Sequence, residues 1–353
     1  MLNAYQARQW YEPLREVSEH FPIVVITRNA ETSVQLQREC PLPIYFAKTI
    51  TDIERLIDSQ RIDMVFYVNQ NIRNFQMLRF NRPAHVFISH GESEKAYMWS
   101  NQLNAYDYVF SAGEAAKERL ATHLRRFNVD TQCKLIGRPQ IDVAYSAPIS
   151  LNKEYPTVLY APTWEGDRPS MSYGSVASHG VELVTALIAS GRYNVIVRPH
   201  PRSGVNSANY AKALDRISET LAASSTEQSP TYYFDQSPQW GWQWAMSDMC
   251  VTDISAAAYD FMSTGKPLVI TTPASGLATV HDSPALTRVP ALASSESSGI
   301  VPLVDRMLAT PDSDYKDLVK HYFGDTSSGA SMRRFIDAAL EVMQEVTESS
   351  QMD

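Results

Sequence analysis

Cysteine is scarce in this chain. Three occur in 353 residues, Cys40, Cys133 and Cys250, far apart and with no Cys-x-x-Cys spacing. That excludes a disulfide framework and points to a reducing, cytoplasmic setting. Long apolar runs are missing too: no stretch approaches the roughly 20 residues a membrane span needs, and no charged-then-apolar leader opens the sequence. Glycine, at 14 residues, is not gathered into a phosphate-cradling loop, since neither GxxxxGK[ST] nor GxGxxG after a strand occurs. HExxH, metal-spaced Cys/His clusters and the GxSxG elbow are likewise absent. Positive charge is in deficit, 31 Lys and Arg against 39 Asp and Glu, for a net −8 and a pI near 5.5. This argues against a general nucleic-acid binder but leaves room for a local basic site for a phosphate.

What is present is ordinary globular composition, 44% hydrophobic and 20% charged, at a length that favours two domains. Short apolar runs alternate with longer amphipathic segments. Ile23–Thr27, Met64–Val68, Val86–Ser89 and Tyr108–Ser111 read as strands, with helices over Thr51–Gln60 and Gly113–Arg126. The pattern resumes with strands at Thr157–Ala161, Val195–Arg198, Met249–Thr252 and Pro267–Thr271, separated by helices near Val181–Ser190, Ala208–Ala223 and Ala256–Thr264. Such alternation implies an α/β protein of two doubly wound, Rossmann-like halves with parallel sheets. The expected boundaries are 1–146 for the N-terminal domain, 147–156 for a turn-rich hinge, 157–328 for the C-terminal domain, and 329–353 for a closing helix (Ser331–Glu345) with a frayed tail. The chain opens on a helix, Ala4–His20, so either a first strand is missing or the first sheet begins with a helix.

Several strand ends carry unusual chemistry. Val195-Ile-Val-Arg-Pro-His-Pro-Arg202 runs from apolar residues into a cation, an imidazole and two prolines. Proline stops the strand there, so Arg198 and His200 stand at a carboxyl end, where open α/β sheets bind anions. Burying both without an anion would be costly, so a ligand or an acidic partner is implied. In Val86-Phe-Ile-Ser-His-Gly-Glu-Ser-Glu-Lys95, a strand delivers His90 into a turn made permissive by Gly91. An imidazole suits proton abstraction from a hydroxyl near neutral pH; the plainer reading is a histidine bonded to a nearby carbonyl. Leu135-Ile-Gly-Arg-Pro-Gln-Ile-Asp142 presents Arg138, whose guanidinium fork matches phosphate, or is a solvated loop arginine. Val158-Leu-Tyr-Ala-Pro-Thr-Trp-Glu-Gly166 presents Pro162, Thr163 and Trp164, the indole being either a wall for a base or packing. After Met249–Thr252, Asp253 or Ser255 caps a small-residue helix whose first N–H groups suit an anion, with Asp260 further along it. His20, His85, His123, His179, His281 and His321 have no such setting and read as surface or packing residues.

Together these residues resemble the CDP-glycerol glycerophosphotransferase family, whose members prime and polymerise teichoic acids and related capsule polymers. The family motifs HGTPxK, GxPRxD, APTW, RxHP and DxSS followed by an aspartate correspond to His90–Lys95, Gly137–Asp142, Ala161–Trp164, Arg198–Pro201 and Asp253–Ala256 with Asp260. Each motif is short; five in the same order, from about Ser89 to Arg333, are fairly specific. The resemblance implies a GT-B-like fold of two Rossmann-like domains facing a central cleft, with the donor held mainly by the C-terminal half. It makes His90 and His200 donor contacts, and the chemistry of the two imidazoles makes them the catalytic candidates. Substrate contacts fall to Gly91, Glu92, Ser93, Glu94, Arg138, Gln140, Pro162, Thr163, Arg198, Asp253, Ser255, Ala256 and Asp260. Three departures bear on the donor: Gln140 stands for the family's arginine, Ala256 for its second serine, and Glu92-Ser93 for its Thr-Pro. They leave CDP-glycerol, CDP-ribitol and other CDP-alcohols open.

On this reading His90 takes the proton of an acceptor hydroxyl, the oxygen attacks the distal phosphorus, and CMP departs. Arg198, His200, Thr163 and the Ser255 helix start stabilise the growing charge. The acceptor is a polyol phosphate, glycan or lipid-linked molecule, with no nucleic acid as partner. The chain is cytoplasmic, at the inner membrane face if in peripheral contact. No dedicated cofactor is expected, although a donor pyrophosphate can bring Mg²⁺. Two other readings remain: a glycosyltransferase or epimerase of the same fold using a nucleotide sugar, and a non-catalytic nucleotide-binding scaffold.

Overall fold

A computed structural model of the chain describes residues 4–226, 230–310 and 315–352. By contacts the chain divides into two units. One comprises Met1–Glu92, Ala96–Val143 and Lys320–Asp353; the other comprises Ser93–Lys95 and Ala144–Val319.

The first unit holds strands β1 (Val25–Thr27), β2 (Ile44–Phe46), β3 (Met64–Tyr67), β4 (Ala84–Phe87), β5 (Tyr108–Ser111) and β6 (Cys133–Leu135). β1 and β2 form a parallel pair, and the others a parallel sheet in the order β3-β4-β5-β6. Parallel neighbours need crossover helices, and local signals set where these begin. Asn29 accepts from Thr32 N at 2.9 Å to start Ala30–Glu39, and a Thr49–Asp52 capping box starts Ile50–Ser59. Strand alternation separates two cores. Val86, Ile88 and Phe110 face Trp10 and Phe335, while Phe87 and Val109 face Ile53, Tyr67 and Leu120. The last helix, Ala330–Met352, therefore completes a core begun at Trp10, with its Phe335 ring 5.2 Å from the Trp10 ring.

The second unit holds β7 (Thr157–Ala161), β8 (Asn194–Val197), β9 (Tyr232–Phe234), β10 (Met249–Thr252), β11 (Leu268–Thr271) and β12 (Ala291–Leu292). They form one parallel sheet ordered β12-β11-β10-β7-β8-β9. The chain runs outward from β7 to β9, then returns to β10 and runs the other way. This is the doubly wound order, with its topological switch between β7 and β10. Val158, Tyr160, Val195, Val197, Met249 and Val251 pack one face against helical residues including Leu183, Leu187, Ile217 and Leu221.

Elements with strong periodicity lie where the sequence places them, and the differences have local causes. The expected helix Ala4–His20 is two, Ala4–Arg8 and Tyr11–Val17. Pro13 cannot donate to the carbonyl of Gln9 and its ring crowds it, so the helix breaks there. The tail expected to fray is helical through Met352, with Gln344 Nε2 bonded to Glu348 at 2.8 Å and Thr347 Oγ1 to the Met343 carbonyl. The edge strands β2, β9 and β12 have two or three residues each, too few to show a period. Residues 329–353, expected as a separate closing segment, group with the first unit.

Candidate active site

In the second unit the switch point brings together loops that are distant in sequence. Ala161 and Thr252 are register partners on β7 and β10, so Pro162-Thr163-Trp164 and Asp253-Ile254-Ser255 leave the sheet side by side. Arg198 follows β8 on the other flank of β7, its N–H bonded to the Tyr160 carbonyl at 2.8 Å. Asp253 ties this edge together. Fully buried, its Oδ2 accepts from Thr163 N at 2.7 Å and Ser175 N at 3.1 Å, and its Oδ1 from Thr271 Oγ1 at 2.6 Å. Burial pushes its carboxyl up to about 6, with these hydrogen bonds pulling the other way. Asp253 therefore spends both oxygens on the protein and does not cap the helix; Ser255 occupies the cap position. The Ser255 hydroxyl is buried and makes no hydrogen bond among the described residues. Ala256 opens the helix, and Asp260 is buried inside it.

Arg198 holds an acidic partner. Its Nη1 donates to Asp235 Oδ2 at 2.8 Å and to the Ser237 carbonyl at 2.6 Å, and Gln243 Nε2 donates to the same Asp235 oxygen at 2.6 Å. All three side chains are buried. His200 is half-buried, and its Nδ1 accepts the Arg202 N–H at 3.1 Å. The neutral imidazole thus carries its proton on Nε2 and can donate without becoming charged. Trp164 lies under His200, rings 6.4 Å apart, and the Arg202 guanidinium covers the same indole at 3.9 Å. Glu165 then fixes the following loop, accepting from Gly204 N and Asn206 N at 2.9 and 2.6 Å.

The first unit contributes the other expected group. Ser89 is in the left-handed region at φ 57°, held by Trp10 Nε1 on its carbonyl at 2.5 Å, and His90 and Gly91 follow. Backbone strain of this kind costs about 1–3 kcal/mol and clusters at functional turns. Asn69 donates to Gln6 Oε1 at 2.9 Å, turning the Gln6 amide nitrogen toward His90 Nε2 at 3.3 Å. An amide nitrogen only donates, so the lone pair of the neutral imidazole is on Nε2. Arg138 is buried; its Nη2 reaches Gln9 Oε1 at 2.8 Å and the His90 carbonyl at 3.2 Å, bracing the turn. Glu92 pairs with Arg119. Gln140 is buried with neither amide atom hydrogen-bonded among the described residues, beside a cavity it lines with Arg138, Gly91 and Glu92. Asp142 accepts from Gly329 N and Met332 N at 3.0 and 2.8 Å and starts the last helix.

The expected site residues thus fall into two groups. His90, Gly91, Glu92, Arg138 and Gln140 lie in the first unit. Ser93, Glu94, Pro162, Thr163, Arg198, His200, Asp253, Ser255, Ala256 and Asp260 lie in the second. Sequence reasoning passed over Asp235, Gln243, Glu165 and Gln6 as supports. Asp235 could have been found by the logic that found Arg198, because it too ends an apolar strand, Tyr232–Phe234. Gln6 carries no comparable signal. His85 and His179 are buried and bonded to the Phe80 and Leu292 carbonyls at 2.8 and 3.2 Å, as packing residues.

The model of the family described as CDP-glycerol:poly(glycerophosphate) glycerophosphotransferase matches residues 87–275, more than half of the chain. The chain belongs to this family. Among curated proteins none matches. Solved structures share the fold, which is α/β of the GT-B type. The wall teichoic acid polymerase TagF is 13% identical over 96% of this chain and 85% of its own, at a TM-score of 0.62. A TagF variant soaked with CDPG gives 14% identity over 97% and 86%, at 0.63. The UDP-GlcNAc 2-epimerase from Neisseria meningitidis bound to UDP-GlcNAc gives 11% over 97% and 98%, at 0.60. Identities this low carry the architecture alone, so the family match is what separates transferase from epimerase. Within the family frame, the matched span covers every loop described above from His90 to Asp260.

Proposed function

We propose that this member of the glycerophosphotransferase family moves glycerol phosphate from CDP-glycerol to a hydroxyl of a polyol-phosphate acceptor, releasing CMP, in the synthesis of a teichoic-acid-like polymer. The observation that carries the proposal is the family match across all five strand-end loops. In the proposed reaction the acceptor hydroxyl displaces Gln6 from His90 and gives its proton to the Nε2 lone pair. The oxygen forms a bond to the phosphorus bearing glycerol, the bond from that phosphorus to the bridging oxygen breaks, and CMP leaves with the electron pair. His200 Nε2–H and the Ser255 hydroxyl are donors for the phosphate oxygens as charge builds on them. Arg198, already paired with Asp235, lends partial charge rather than a whole one. Among the described residues no group of His, Cys, Asp and Glu is arranged to hold a metal ion. Any Mg²⁺ would be carried by the donor's own oxygens. Among those residues, too, no helix is long and apolar enough to cross a membrane. A lipid-linked acceptor met by peripheral contact at the cytoplasmic face is part of the proposal.

The test is CMP release from CDP-glycerol, CDP-ribitol and UDP-sugars by purified protein with a polyol-phosphate acceptor. CDP-glycerol should be turned over. His90→Ala should cut kcat by about 10²–10⁴-fold and still bind CDP. Turnover of UDP-sugars instead, or a His90→Ala rate near wild type, would refute the assignment.

A further inference from the structure

Two cations of the second unit, Arg198 and Lys95, are in different circumstances. Arg198 is already balanced by buried Asp235 at 2.8 Å. Lys95 also belongs to this unit, with Ser93 and Glu94. It is partly buried, and among the described residues it has no hydrogen bond and no ion pair. Its Nζ lies 5.0 Å from the centroid of the Tyr173 ring. That ring is pinned by its hydroxyl, which donates to the Thr279 carbonyl at 2.5 Å. Burial lowers the ammonium to about 8, with the Asp253 carboxylate pulling it back up. No ion pair joins it to Asp253, whose oxygens accept from Thr163, Ser175 and Thr271. A ring face offsets part of the desolvation of an ammonium but satisfies none of its three N–H donors. Close by in the chain, two residues beyond Asp253, the buried Ser255 hydroxyl is also without a partner. The second unit thus holds an unpaired cation within the field of Asp253 and, two residues along the chain from Asp253, an unused hydroxyl. This is the donor set an anionic oxygen would complete.

We propose that Lys95 is a donor-binding residue whose ammonium takes an oxygen of the donor's pyrophosphate. The inference rests on the function proposed above and gives this contact to Lys95, which has no acidic partner, rather than to Arg198, which has one.

The experiment is calorimetric titration of wild type, Lys95→Met and Lys95→Arg with cytidine, CMP and CDP, alongside thermal melting of each protein. A charge-assisted hydrogen bond lost to a ligand should weaken CDP binding to Lys95→Met about 10- to 100-fold. Cytidine should bind both proteins alike, and Lys95→Arg should recover part of the loss. The melting temperature of Lys95→Met should be unchanged or higher, since the buried charge removed makes no hydrogen bond or ion pair with the protein and feels Asp253 only at a distance. Lys95→Gln carries the same test if the methionine variant does not fold. If CDP binds Lys95→Met as tightly as wild type, or if cytidine is weakened as much as CDP, the role of Lys95 is refuted. If wild type binds no cytidine nucleotide, the donor reading itself falls and this inference with it.

Discussion

Asn in place of Asp253 should make the protein's stability respond differently to pH, by an amount that follows from the site. The Asp253 carboxyl is fully buried and is raised from 3.8 to about 6. Below the lower value the group is protonated in both the folded and the unfolded chain. Between the two, the folded protein keeps a proton that the unfolded chain has lost, so stability drains away as pH rises; above about 6 the loss is complete. Two units at 1.36 kcal/mol each make the penalty about 3 kcal/mol at neutral pH. Asp253→Asn carries no such penalty. Its carbonyl oxygen can take the N–H groups of Thr163 and Ser175, and its amide can donate to Thr271, whose hydroxyl can turn to accept. Relative to wild type, the variant should therefore gain about 3 kcal/mol between about pH 4 and pH 7. Urea unfolding followed by tryptophan fluorescence suits the measurement, because Trp164, Trp240, Trp242 and Trp244, four of the six tryptophans, lie in the same unit as Asp253. Comparing the two proteins cancels carboxylates with the opposite tendency, such as Asp317, held low by Arg288. Parallel pH curves, or a gap that closes as pH rises, would show that Asp253 is not the buried titrating hub described here.

Two further substitutions test the supports. Gly137 sits at φ +72°, and a Cβ there would lie 2.2 and 2.3 Å from Arg334 Nη2 and Ser331 Oγ. Gly137→Ala should cost at least about 2 kcal/mol, left-handed strain plus displacement of the last helix, and thermal melting would show it; an unchanged melting temperature would refute that packing. Asp235→Ala strands the buried Arg198 guanidinium and should cost about 3–5 kcal/mol. A stability close to wild type would mean that Arg198 has another sufficient anion.

Much of the second unit was legible because its strands are buried on both faces and stop at prolines. Pro162 follows β7, Pro199 lies two residues past β8, and Thr157–Ala161 and Met249–Thr252 coincide with the observed strands. The strand ends also located the loops, since a cation or imidazole directly after an apolar run has few other reasons to be there. What the sequence could not reveal was where each side chain finds its partner. Arg138 and Glu92 were read as substrate contacts, and nothing in their loops showed that one would also brace the His90 carbonyl and the other pair with an arginine 27 residues away. Asp253 reads as a helix cap and acts as a hub between loops 90 and 78 residues distant. Such pairings are set by tertiary distance, which no local period encodes.

The last helix has a consequence for the order in which the chain can fold. Its Phe335 fills the space between Trp10, Phe66 and Phe110, and its start is held by Asp142. Between Asp142 and this helix lies nearly all of the second unit. During synthesis that inserted unit is complete in sequence by Val319, while the first unit still lacks the residues that close its core. Domains commonly fold in the order they emerge, N-terminal first. Here the half that begins first must finish last, so its Trp10 face waits uncovered until the ribosome has delivered Phe335.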